Sequence, residues 1–121
     1  MKYLLLIYHD ETTFASLSEP ERQQMYVEYR KLREPLISRG QFIDGSQLQA
    51  TATAASVRVR DGKDLVIDGP FAETHEQLAG YFMIDVNNVD EAVAVAKQIP
   101  SVRTGTVEVR PLVESAAEAH A

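Results

Sequence analysis

The chain contains no cysteine, which excludes disulfides, thiolate metal sites and cysteine nucleophiles and leaves packing alone to stabilise the fold. Long apolar runs are also missing. The longest, Tyr3 to Tyr8, falls far short of the roughly 20 residues needed to cross a bilayer and suits a buried strand. Neither a charged leader nor a small-residue cleavage site precedes that strand, so a cytoplasmic protein with no membrane partner is expected. Positive charge is short as well: 12 Lys and Arg against 18 Asp and Glu give a net charge of −6, with the bases scattered among acids. Phosphate binding draws on clustered cations, so no nucleic-acid partner is expected. Metal ligands are equally sparse. His9, Asp10 and Glu11 are neighbours whose side chains diverge at the end of a strand, and His120 belongs to the tail, so no metal site is expected.

What is present is the material of one globular domain. Hydrophobic residues make up 45% and charged residues 25% of 121, enough for one core and too little for two. That domain is assigned to residues 1–114, followed by a small, polar, fraying tail over 115–121.

The first strand, residues 2–8, is apolar on both faces: Leu4, Leu6 and Tyr8 alternate with Tyr3, Leu5 and Ile7. His9 to Leu17 reads as a loop. Ser18 with Glu21 forms a capping box and opens a helix, with Pro20 tolerated in its first turn. Met25, Tyr29, Leu32 and Leu36 form its apolar stripe. Pro35 should kink this helix or end its regular part early, and Gly40 terminates it. A short irregular strand is expected over 41–49 and an uninformative connector over 50–55. Val57 to Asp68 reads as a β-hairpin turning at Asp61-Gly62. Gly80 to Val86 is a further strand, with Phe82, Ile84 and Val86 on one face and Tyr81, Met83 and Asp85 on the other. Asn88 and Glu91 cap a second helix with the stripe Val89, Ala92, Val93, Ala96 and Ile99, stopped by Pro100. A last strand, 106–112, places Val107 and Val109 on one face.

The resulting order is βαβ-(hairpin)-βαβ, an α+β, ferredoxin-like plan with an antiparallel sheet and two helices on one face. Two helices cover only one side of the sheet, whereas the first strand and the Tyr81–Met83 face are apolar on the other. Soluble monomers rarely leave such a face in water. A homodimer packing sheet against sheet around a cavity, able to take a small-molecule ligand, is therefore expected.

The stretches "KYLLLIY", "VRVRDGKDLVIDGPFAETHEQLAGYFMIDV" and "DEAVAVAKQIPSVRTGTVEVRPL" resemble the YCII-related family in its DGPF branch, over nearly the whole chain apart from the tail. The Asp68-Gly69-Pro70-Phe71 motif, followed by Glu73 and Gly80-Tyr81, carries the branch assignment. The resemblance implies a dimeric α+β barrel, a fold that also serves cofactor-free monooxygenases, muconolactone-type isomerases and haem proteins, so fold alone selects no chemistry. It further implies an acid/base pair of His and Asp in a cleft, and suggests a link with alternative sigma factors. This sequence departs from the pattern. Tyr29, with Glu28 beside it, stands where the helix would carry the His, Asp44 and Asp68 both stand open as the Asp, and His75 replaces the branch's Lys.

Each candidate has a structural and a chemical reading. Asp68, Gly69 and Pro70 make a good turn, with Phe71 anchoring the corner in the core. Alternatively, a desolvated Asp68 at a cavity mouth acts as general base. Arg58 is a surface ion pair near Asp68 or Glu73, or a clamp for an anionic substrate. Glu73 is a first-turn acid of a short helix over 72–79, or part of the site. His75 is an exposed loop residue, or a group that titrates near neutrality. Tyr81 is an interface aromatic, or a donor to a developing oxyanion. Glu28 and Tyr29 are helix residues, Tyr29 in the apolar stripe, or contacts to substrate. The expected function is a cofactor-free small-molecule enzyme working by proton transfer, of isomerase or lyase type, with catalytic Asp68, Tyr81, Glu73 and His75 and substrate-binding Arg58, Glu28 and Tyr29. The alternative is a non-catalytic dimeric module that binds a ligand or regulatory partner.

Overall fold

Alternation in the first strand sets the layers of the fold. In the computed structural model, which describes residues 1–114, Tyr3, Leu5 and Ile7 of β1 (Lys2–His9) are buried, while Leu4, Leu6 and Tyr8 remain partly exposed. The chain continues through α1 (Glu11–Ala15), α2 (Glu19–Ser38), β2 (Phe42–Gln47), β3 (Ala55–Arg60), β4 (Lys63–Asp68), β5 (Gln77–Asp85), α3 (Val89–Ala96) and β6 (Thr106–Pro111). Strands β2, β5, β1 and β6 lie side by side in that order, every pair antiparallel. This is the ferredoxin-like α+β arrangement.

The buried face of the sheet carries Tyr3, Leu5 and Ile7 together with Phe82, Ile84 and Val86. Leu36 of α2 and Ala92, Val95 and Ala96 of α3 cover it, with Tyr29, Leu32, Val107 and Val109 packed around them. The α3 stripe is rotated from the expected one: Val95 is buried while Val89 and Val93 are largely exposed. Capping follows the sequence. Ser18 and Glu21 exchange both bonds of the capping box, and Asn88 accepts from the Glu91 backbone N–H.

Two expectations about the first 40 residues are corrected. The segment after β1 is not all loop, because the Asp10 side chain caps the single turn and a half of α1. Pro35 neither ends nor shortens α2, which runs on to Ser38. The next residue, Leu36, is fully packed in the core and holds the last turn down. A Schellman ending completes it: Gly40 (φ 70°) donates to Ile37 O at 3.0 Å and Gln41 to Leu36 O at 2.8 Å.

The hairpin forms where expected, with Asp61 (φ 52°) and Gly62 (φ 73°) supplying the left-handed turn. Among the described residues it pairs only with itself, as a separate two-stranded sheet. Consequently Phe71 is not in the core: it is 72% exposed, and its ring covers the Arg58 guanidinium at 4.2 Å. Nor does a helix form over 72–79. The segment bends instead, with Gln77 Nε2 donating to Thr74 O at 2.6 Å, and Gln77 enters β5 opposite His9. Pairing with β1 outweighs a turn of isolated helix.

Candidate functional site

A cavity of about 220 Å³ opens between α2 and the end of the sheet where β1, β2 and β5 meet. Its position follows from two glycines. A Cβ on Gly45 would lie 2.9 Å from both Phe42 Cζ and Phe82 Cδ1, and one on Gly80 would lie 2.7 Å from Ser46 O. Bare backbone at these strand positions lets β2 approach β5 closely and leaves room above the sheet. Phe82 and Ile7 form the apolar floor, and α2 supplies the opposite wall through Met25, Tyr26 and Tyr29.

Polar groups converge on this space from three elements. His9, at the end of β1, stacks on Phe14 of α1 with centroids 4.8 Å apart and planes 12° from parallel. Phe14 is itself held by Arg22, whose guanidinium lies 5.5 Å from the ring centroid and donates to Ala15 O at 3.0 Å. Burial lowers the His9 pKa below its usual 6.5, against the opposing pull of Glu11, Asp10 and Glu76, so the ring is a neutral base near pH 7. From α2, the Tyr29 hydroxyl lies 2.7 Å from Ser101 Oγ, while its ring meets Phe82 edge-on at 6.0 Å. Burial raises the Tyr29 pKa above 10.0, the hydrogen bonding to Ser101 working in the other direction. Arg30 and Arg33 complete the lining.

Of the catalytic and substrate-binding candidates named from sequence, Tyr29 alone lines this cavity. Its neighbour Glu28 points away and pairs with Arg103. Asp68 sits exposed at the end of β4, opposite Ala55, and makes no hydrogen bond of the corner among the described residues. The corner is instead clamped through Gly69 (φ 99°), which donates to Ala54 O at 2.7 Å and accepts from Ser56 Oγ at 2.9 Å. Glu73 and His75 are exposed in the bend before β5. Arg58 meets Phe71, and neither Asp68 nor Glu73 forms an ion pair with it among the described residues. Tyr81 lies on the sheet face away from the helices and donates to Asp44 Oδ2 at 2.9 Å. That bond to a carboxylate raises the Tyr81 pKa.

The groups missed from sequence are His9, Ser101, Arg30 and Arg33. His9 carried a signal, a polar ring ending an apolar strand, but its acidic neighbours directed attention to metal binding. Among the described residues no group of three or more His, Asp or Glu is placed to hold a metal ion. His120 and the rest of the 115–121 tail lie outside the described residues. No helix among them is long and apolar enough to cross a membrane.

The fold and cavity together define a ferredoxin-like α+β protein with a small-molecule-sized pocket between helix and sheet. The chain belongs to the YCII-related family, whose domain model matches residues 1–116. It is also similar to an uncharacterised protein of Rhizobium meliloti (strain 1021), 35% identical over 114 residues that span 93% of this chain and 92% of the relative.

Proposed function

We propose that this protein is a cofactor-free small-molecule enzyme that works by proton transfer in the pocket between α2 and the sheet. The observation that carries the reading is the convergence of His9 and the Tyr29–Ser101 pair on one largely apolar cavity. His9 serves as general base, because burial keeps it unprotonated near neutrality. Tyr29, its phenol kept protonated, donates a hydrogen bond to charge developing on the substrate. Tyr29 thus takes a polar role at the helix position where the family resemblance puts an acid/base His, and His9 supplies the imidazole from β1. Asp68, Glu73, His75 and Arg58 belong in this reading to the hairpin and its corner, outside the chemistry.

The reading includes a homodimer and a cytoplasmic location. Leu4, Leu6, Tyr8, Tyr81 and Met83 form a partly exposed face that no helix among the described residues covers. A second copy set against it would complete an α+β barrel.

The test is a substrate screen followed by His9→Gln and Tyr29→Phe. Loss of turnover in folded His9→Gln, with substrate still bound, is expected. Full turnover in that variant removes His9 from the mechanism. A second reading, a receptor without catalysis, is favoured by one observation: Ser101 Oγ is bonded to Tyr29 and not to a histidine, so the serine nearest Tyr29 in the pocket is not set up with a base as a nucleophile. Ligands that bind but are recovered unchanged after long incubation would select it.

A further inference from the structure

Charge in the pocket is distributed against the trend of the whole chain. The protein carries a net −6, yet the titratable side chains lining the cavity are Arg30, Arg33, His9 and two tyrosines, with no carboxylate. Arg30 and Arg33 stand three residues apart on α2, a spacing that puts both side chains on one helix face. Arg30 is exposed and Arg33 partly buried. Neither guanidinium has an ion-pair or hydrogen-bond partner among the described residues, in contrast to Arg103, which is spoken for by Glu28 and Pro100 O. Two unpartnered cationic forks over an apolar floor form a receptor for a molecule with one apolar and one anionic end.

Resting on the reading that this pocket is the functional site, we propose that its ligand is a small organic carboxylate held by Arg30 and Arg33. The cavity, at about 220 Å³, lies below the roughly 300 Å³ at which pockets for drug-sized ligands begin, so it suits a single ring or a short chain. Phe82 and Tyr26 contact the apolar end, and the guanidinium forks take the carboxylate in paired N–H···O bonds. A phosphate ester fits less well. Arginine forks take phosphate too, but phosphate sites commonly add a helix N-terminus or a nest of backbone N–H groups, whereas α2 faces this cavity through its middle and later turns, from Met25 to Arg33.

The experiment is calorimetric titration of the full-length protein with matched pairs: benzoate and benzamide, butyrate and butyramide, together with phenyl phosphate. Carboxylates are expected to bind at least about tenfold more tightly than their amides, with affinity falling as salt is raised. R30Q/R33Q should abolish that preference while leaving the melting temperature of the free protein near wild type. R30K/R33K, keeping the charge but not the fork, should weaken carboxylate binding several-fold. Equal binding of acids and amides, or undiminished benzoate binding by R30Q/R33Q, overturns the inference and leaves the pocket reading intact. Tighter binding of phenyl phosphate than of benzoate overturns the carboxylate assignment. Should no member of any pair bind, the pocket reading itself fails and the inference with it.

Discussion

The Tyr29 hydroxyl and Ser101 Oγ, 2.7 Å apart, join the middle of α2 to the turn that follows α3, across 72 residues of sequence. Ser101 is 3% exposed and depends on Tyr29 for its side-chain partner; if Tyr29 is truncated, its hydroxyl can turn only to the pocket. Tyr29→Phe should therefore destabilise the fold by about 0.5–1.5 kcal/mol, the net worth of one hydrogen bond whose remaining partner can turn to the pocket. Ser101→Ala should cost a similar amount, and the double variant less than the sum, because the two changes remove one bond. Urea unfolding of the four proteins measures this. Strict additivity would show that the pair is not coupled.

Gly80 is held by backbone rather than by conformation. An added Cβ would lie 2.7 Å from Ser46 O, a ladder carbonyl of β2 that has no freedom to swing away. Gly80→Ala is expected to cost about 1–3 kcal/mol through overpacking, and to shift the β2 backbone next to the pocket. Gly62→Ala on the hairpin meets no atom within 4 Å, although its φ of 73° still carries strain. Amide chemical shifts around Ser46 and Gln47 should move in the Gly80 variant and stay fixed in the Gly62 one. Unperturbed shifts in the Gly80 variant would contradict the close approach of β2 and β5.

The framework of the fold was legible because its signals are local. Continuous apolar runs mark β1 and β5, Ser18 and Glu21 mark the start of α2, and Asp61-Gly62 marks the hairpin turn. The same reading failed where placement depended on distant partners. Phe71 was expected in the core as the large apolar member of a turn, but nothing in its neighbourhood reveals that the hairpin forms a sheet separate from β2, β5, β1 and β6. Asp68 drew attention for its motif, whereas the pocket gathers His9, Tyr29 and Ser101 from segments separated by most of the chain. Ser101 has no sequence mark at all. Its burial follows from the short turn Pro100–Arg103 folding against α2.

His9 gives a pH prediction with a definite sign. Its folded pKa is depressed chiefly by burial, so between the folded value and the unfolded 6.5 the unfolded chain binds more protons. The stability contributed by neutral His9 is complete above 6.5 and is lost as pH falls through the folded pKa. His9→Gln should thus lose less stability than wild type when unfolding is compared at pH 7.5 and pH 5. An NMR titration of the ring protons reads the group directly. A midpoint at or above the ordinary histidine value would contradict the burial argument.

The proposed dimer rests on the sheet face that the helices leave open, and Leu6 lies at its centre. It sits directly between Tyr81 of β5 and Glu108 of β6, on the face opposite the core, and is only partly exposed in the isolated chain. Wild-type protein should elute with twice the 13.5 kDa chain mass by light scattering. Leu6→Glu introduces a charge that a sheet-on-sheet contact would have to bury unpaired, so the variant should elute as a folded monomer. The core behind Leu6 is carried by Leu5 and Ile7, which point the other way, so far-ultraviolet circular dichroism should remain native. A wild type that is monomeric at micromolar concentration, or a Leu6→Glu protein that stays dimeric, removes this face from the interface and moves the search to the apolar hairpin residues Val57, Val59 and Val66.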